Sequence, residues 1–463
     1  LNDNRAAYRG RLLLDKDRAA RGSSLARTYQ DLGFNQTGIN ESTTSLSVDP
    51  ANSSAHRFLS DSYRDTSRRT EISRVSELLQ AQMLQDLNVN PVQPSISATN
   101  LNIVTTGGPS AAGFNEFTPL FEQNQTQLNV SAMVGSDDTT GVEAVISTVY
   151  DRLSISGGAF DFETDGFRTN SDTSHEISGL FAQWAASPTV NIQAEVDRRD
   201  TEYGDIAMHF DPDDFDSSFR RTLDVDTERV GMRIAPSNNS TILLSAIRAD
   251  RDGSAHEEDV LEIFPGFSVD IAFDGVLDEE VTQYDVAYIY QQPGFNITTG
   301  VAYTESDRLD TFTFSDVPVT FFDDLETEQV DLEDTRFYAY SNITFSPGVV
   351  GTIGFSYQDY DQDQVYNYTD QTGFLPPSSA EFDLDFDETN TKLGIRAEVT
   401  DNLELRASYF EVVKPALSSN RTLEPTQVAG FNQFFDDPNG TKSERYGVCL
   451  LYTSDAADDY FWV

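Results

Sequence analysis

Cysteine is all but missing. Cys449 stands alone among 463 residues, which excludes a disulfide framework and a thiolate metal site. Lysine is nearly as scarce, confined to Lys16, Lys392, Lys414 and Lys442. With 77 acidic against 31 basic side chains the formal net charge is −46, and such a chain repels nucleic acid rather than binding it. The charge fits either a solvated surface or a cation-attracting mouth or lumen. Histidines are few and scattered (His56, His175, His209, His256), with no HxH or HExxH pattern. There is no GxSxG, no phosphate-cradling glycine loop and no Cys–His pair. The expectation is no enzyme activity and no cofactor. No apolar run reaches the roughly 18 residues of a transmembrane helix. Barrel strands, however, cross a membrane while keeping mean hydropathy low. An initiator methionine and an apolar signal stretch are also missing, so the chain reads as truncated at its start.

What is present is alternation. In the stretch 389–409, Leu393, Ile395, Ala397 and Val399 alternate with Lys392, Gly394, Arg396 and Glu398. After Thr400-Asp401-Asn402, Leu403, Leu405, Ala407 and Tyr409 alternate with Glu404, Arg406 and Ser408. Period-two alternation on both sides of a short turn predicts a β-hairpin. Each arm is about ten residues, the length of a tilted membrane-crossing strand. The pattern recurs from Gln125 onward: Leu128 to Val134, Ile192 to Val196, Val230 to Ile234, Tyr284 to Tyr290, Ile297 to Tyr303 and Ile353 to Tyr357. Short turns (Asp151-Arg152, Ser187 to Thr189, Pro236 to Asn239, Gln292 to Gly294, Ser346 to Gly348) alternate with longer acidic segments, 198–221, 250–280, 305–333 and 359–388, read as loops. Short turns at one end and long loops at the other suit an outer-membrane barrel. Tyr150, Trp184, Tyr288, Tyr290, Tyr303, Phe345, Tyr357 and Tyr409 are candidates for its aromatic girdles.

The predicted class is mainly β: an antiparallel transmembrane β-barrel, incomplete, with roughly fourteen strands visible and one more beginning near Ser443. If its apolar face meets lipid, then Asn191, Gln193, Glu195, Arg229, Arg233, Lys392, Arg396, Glu398, Glu404 and Arg406 face the lumen and set solute selectivity. Asp359, Asp361 and Asp363 have the alternate spacing of a calcium loop, without its glycine and late glutamate. Solvated loop charge is the favoured reading of them, and no metal is expected.

Residues 1–87 read as helical. Leu25, Ala26 and Tyr29 recur as Leu59, Ser60 and Tyr63; Gly33 closes a first helix and Pro50 opens the next unit. A helix pair at this spacing is the tetratricopeptide period, and such repeats bind partner proteins. An ordinary helical hairpin domain is the alternative. Residues 88–124, rich in Pro and Gly, are a linker or a short mouth-filling piece. Residues 125–447 form the barrel. In 448–463 the alternation turns erratic, and LLYTSDAADD looks like translated adapter read-through, so this tail is expected to be foreign.

The block LGIRAEVTDNLELRASYFEVVKPAL, followed by RTLEPTQVAGFNQF, resembles the C-terminal half of TonB-dependent receptor barrels. ARTYQDLGF, DPANSSAHRFLSDSY, FNEFTPLF, ETDGFR and RTLEPTQVAGFNQFFDD resemble, more closely, bacterial proteins that join tetratricopeptide repeats to such a barrel. The resemblance implies an outer-membrane location, with repeats in the periplasm bound to a partner protein and acidic loops outside the cell. It also implies passage of a polar solute or polymer through the membrane. Segment 88–124 is too short for the plug domain of a true receptor. Three functions stay open: nutrient uptake, export of a polysaccharide, and a surface adhesin or scaffold that transports nothing.

Overall fold

The computed structural model describes residues 14–64, 71–85, 87, 124–206, 215–264, 266–317, 322–400, 402–435 and 437–452. The linker 88–123, the tail 453–463 and His209 lie outside them.

Four helices come first: α1 (Leu14–Asp31), α2 (Asn35–Val48), α3 (Ser53–Arg64) and α4 (Glu71–Leu84). The strands are β1 (Gln125–Val134), β2 (Thr140–Tyr150), β3 (Leu153–Thr164), β4 (Thr173–Ser187), β5 (Val190–Tyr203), β6 (Arg220–Ser237), β7 (Ser240–Phe264) and β8 (Phe267–Gln292). There follow β9 (Phe295–Val317), β10 (Asp323–Ser346), β11 (Val349–Asp370), β12 (Ser378–Thr400) and β13 (Leu403–Val413). A two-residue hairpin, β14 (Gln427–Val428) and β15 (Phe431–Asn432), precedes β16 (Lys442–Tyr452). Strands β1 to β13 and β16 form one 14-stranded antiparallel sheet in chain order. Nearest-neighbour order with short turns is what a chain of alternating segments gives, because each hairpin closes with little loss of chain entropy.

The outward face changes character at a fixed height. Close to the short turns it is apolar: Val196, Val230, Tyr284, Val286, Val301, Phe337 and Tyr357 are exposed. One cross-strand row then runs Glu228, Arg248, Thr282, Glu305, Glu333, Asp361 and Asp385 from β6 to β12. Beyond that row the outward positions are mostly charged or polar, with Val260, Val276 and Leu309 as exposed exceptions. Of the girdle candidates, Tyr150, Trp184, Tyr288, Phe345 and Tyr357 are exposed and Tyr290, Tyr303 and Tyr409 half-buried.

The acidic segments correct the expectation of loops. Residues 250–264 and 267–280 pair along β7 and β8, 305–317 and 323–333 along β9 and β10, and 359–370 and 378–388 along β11 and β12. β8 alone has 26 residues, roughly 85 Å of extended chain, far more than the ten or so residues that cross a bilayer. Away from lipid both faces of a strand are wet, so the apolar alternation disappears while backbone pairing continues. Residues 448–452 likewise pair with 403–407 at the end of β16.

The four helices form stacked pairs, with α4 laid against the sheet. Leu79, Met83 and Leu84 of α4 share a cluster with Leu243, Ile247, Ala287, Ile289 and Leu423. At Gly231 a Cβ would lie 2.4 Å from Met83 Sδ, so glycine is what lets the helix approach β6. Of the repeat positions, Ala26, Leu59 and Tyr63 are buried, Tyr29 and Pro50 half-buried, and Leu25 and Gly33 exposed. The paired positions Leu25 and Leu59 therefore sit in unlike surroundings.

Candidate functional site: a charged interior filled by a helix and an in-turned segment

β13 ends early, at Val413, and the chain does not continue upward as its neighbours do. Residues 414–435 instead turn into the space that the sheet wraps. Their backbone is held by side chains from four elements. Ala416 N donates to Asp334 Oδ2 (3.1 Å), and Thr304 Oγ1 donates to Ala416 O (3.2 Å). Ser418 N donates to Gln283 Oε1 (2.8 Å), and Gln283 Nε2 donates to Arg421 O (2.9 Å). Thr422 N donates to Ser76 Oγ of α4 (3.1 Å). A segment with so little regular structure can be buried only if its amides and carbonyls find such partners. The hairpin β14–β15 then rests on β12, where a Cβ at Gly394 would come within 2.5 Å of Ala429 Cβ.

The C-terminal end of α4 is satisfied in the same way. The last carbonyls of a helix have no partner within it. Here Gln193 Nε2 donates to Gln82 O (2.7 Å), Gln183 Nε2 to Gln85 O (3.0 Å) and Arg233 to Leu84 O. A guanidinium at this end also meets the negative pole of the helix dipole.

Buried charges join the two inserts to the wall. Arg229 Nε is 3.0 Å from Glu195 Oε2, and Arg421 Nη1 reaches the same oxygen at 3.4 Å. Arg336 Nε lies 2.8 Å from Glu424 Oε2, both side chains at most 3% exposed, and Arg336 Nη2 donates to Thr422 Oγ1 (3.1 Å). Tyr340 OH donates to Glu424 Oε1 (2.5 Å). On the helices, His56 Nδ1 contacts Glu77, which also accepts from Thr426. Burial alone disfavours the His56 imidazolium, but the Glu77 carboxylate, helped by the Pro50 carbonyl and Asp49, outweighs it and the pKa is raised.

Among the expected lumen residues, Asn191, Gln193, Glu195, Arg229, Lys392, Arg396 and Arg406 are buried and Arg233 and Glu404 half-buried. Lys392 donates to Glu411 O, Arg396 to Thr44 of α2, and Arg406 stacks over Phe431, its guanidinium carbon 5.6 Å from the ring centre. Glu398 differs: it is exposed, beside the β12 bulge that ends the regular register. Asp359, Asp361 and Asp363 are exposed along one face of β11 rather than in a loop. The carboxylates that come together there are Asp361, Asp363 and Asp383 of β12, while Asp359 stands apart. A void of about 80 Å³ beside Thr44, Arg396, Arg406 and Gln427 has room for water but not for a sugar or chelate.

Sequence reasoning missed Gln283, Asp285, Asp334, Arg336, Tyr340, Arg421 and Glu424. Parity was the available signal for the first five. Gln283 and Asp285 share a face of β8 opposite the exposed Tyr284 and Val286, and Asp334, Arg336 and Tyr340 share one of β10 opposite Phe337. For Arg421 and Glu424 there was none, because an inward turn after Val413 has no periodicity.

No family model matches the chain and no curated protein does. Solved structures do. The ferric yersiniabactin uptake receptor FyuA from Yersinia pestis superposes with a TM-score of 0.55 at 12% identity, over 72% of this chain and 52% of that one. For the siderophore receptor PiuA from Acinetobacter baumannii the values are 0.52, 12%, 71% and 55%. For the copper transporter OprC they are 0.52, 9%, 72% and 52%. These are receptors and a transporter by name, none of them an enzyme. At such identities the likeness is one of fold: the sheet is a β-barrel of the TonB-dependent-receptor type. The chain spans about half the length of these proteins.

Proposed function

We propose that this chain forms the wall and part of the stopper of an outer-membrane transporter that admits a polar solute. One observation carries the reading. Where the outward face is apolar, the inward face is charged and packed against α4 and 414–435. An apolar belt outside calls for lipid. A filled interior calls for a solute path that opens on demand, which favours uptake of the kind named for the receptors above over a standing export pore for polysaccharide.

In this reading the short turns and the helices lie on the periplasmic side and the acidic strand extensions outside the cell. Glu195, Arg229, Arg336 and Glu424 hold the stopper, and Lys392, Arg396 and Arg406 line the route past it. Leu32 and Phe34, both exposed at the end of the first helix, are available to a periplasmic partner protein.

Cysteine labelling tests the orientation. In a Cys449→Ser background, Asp324→Cys reacts with a membrane-impermeant maleimide on intact cells and Pro293→Cys reacts only after lysis. The reverse pattern refutes the topology.

A further inference from the structure

Far above the apolar belt, the inner side of the strand extensions carries a second site that the stopper does not use. Four strands meet there in two adjacent cross-strand rows. The first runs Glu257, Phe273, Phe314, Asp324 and the second Ala255, Gly275, Phe312, Glu326. No register shift separates these residues from the buried part of β8, β9 or β10. Phe273 therefore shares its face with Gln283 and Asp285, Phe312 and Phe314 share theirs with Thr304, and Asp324 and Glu326 share theirs with Arg336. All of them point to the wrapped side.

The rows make a hollow. Ala255 and Gly275 leave one corner without bulk, while Phe273 and Phe314 pack at 4.6 Å between ring centres. The cavity is about 430 Å³, within the range of small-molecule sites. Its lining contains Glu257, Asp274, Asp324 and Glu326 but no Lys or Arg; the one basic group in it, His256, is taken up by Asp274, its Nδ1 2.7 Å from Asp274 Oδ1. Elsewhere on the extensions Arg251 and Arg308 are paired with Glu279 and Asp310; Arg221, which pairs with Ala255 at the β6 end of the second row, is the nearest guanidinium and is outnumbered by the carboxylates of the lining. Phenylalanine offers no hydrogen bond, only an apolar face with negative potential.

We infer that this hollow binds an organic cation, an ammonium group seated against the rings of Phe312 and Phe273, with Phe314 held behind them by its stacking on Phe322 (4.9 Å between ring centres), and flanked by Glu257, Asp324 and Glu326. The chemistry is that of an aromatic cage reinforced by carboxylates. The same field repels anionic chelates. The inference rests on the transporter reading for its meaning, since it names the class of solute that reaches the stopper from outside, but the binding itself is tested separately.

The experiment is calorimetric titration of the purified full chain in detergent with benzyltrimethylammonium, benzenesulfonate and cellobiose. The cation binds and the other two do not, and its affinity falls with added salt. Asp324→Asn/Glu326→Gln weakens binding roughly tenfold or more. Phe312→Leu keeps the apolar volume, loses the ring potential and weakens it about threefold or more. Heat-modifiable gel mobility shows that each variant remains folded. Absence of cation binding, equal binding of the sulfonate or the disaccharide, or unchanged affinity in both folded variants overturns the inference. Binding without uptake of the cation by cells leaves the site standing and refutes the transporter reading instead.

Discussion

Glu424→Ala removes one half of the buried pair that ties the in-turned segment to the barrel wall. Arg336 then keeps Asp334, at 3.7 Å, the field of Asp285 and the Thr422 hydroxyl. Tyr340 loses its 2.5 Å acceptor and keeps Gln433. Breaking a buried pair by deleting one partner costs about 3–5 kcal/mol, because the remaining charge stays desolvated. The sheet is held independently by backbone pairing along every strand, so the cost falls on docking of the segment. Three kcal/mol is about a hundredfold in the population of the undocked state. Hydrogen exchange read by mass spectrometry therefore speeds up at least about a hundredfold for the amides of Ala416, Ser418 and Thr422. Amides in β3 and β4 are unchanged. Arg336→Met/Glu424→Leu, which removes both charges, restores much of the protection. Unchanged exchange in the single variant, an equal rise throughout the sheet, or a double variant as loose as the single one refutes the reasoning.

Gly231→Val places side-chain atoms where Met83 Sδ would lie 2.4 Å from a Cβ. It should cost about 1–3 kcal/mol by overpacking, read as a lower Tm, and Met83→Ala in the same chain should recover part of it. The His56–Glu77 contact predicts a pH dependence. The folded pKa of His56 is raised above the ordinary histidine value of 6.5, so the contact stabilises fully below that value and its contribution disappears as pH rises through the folded pKa. The Tm advantage of the wild type over His56→Gln should shrink on going alkaline, and a gap that stays constant or widens would remove the ion pair from the account.

Much of the wall was legible in the sequence. Alternation from Ile192 to Val196 and from Leu393 to Val399 is a direct consequence of successive side chains pointing to opposite faces. Counting parity along β12, and along β6 from Val230 to Ile234, identified Lys392 and Arg229 as positions whose side chains lie on the face opposite the apolar one. Three things were not legible. The extensions of β7 to β12 were read as loops because Asp359, Asp361 and Asp363 give no apolar signal, although nothing in their backbone prevents pairing. The helices were assigned to a separate body, because amphipathic faces such as that of Leu79 and Met83 say only that something covers them, not what. The inward turn of 414–435 was read, with the rest of 125–447, as part of the barrel. Its partners, Gln283, Asp334 and Ser76, are far away in the chain, and only the fold brings them together.

The most direct test of a filled, gated barrel is single-channel conductance of the full-length protein in a planar bilayer. The wild type should show no steady ion conductance. A variant in which residues 415–438 are replaced by a short Gly-Ser link should show large, long-lived steps. A large steady conductance from the wild type, or silence from the folded variant, would contradict the claim that α4 and the in-turned segment close the pore.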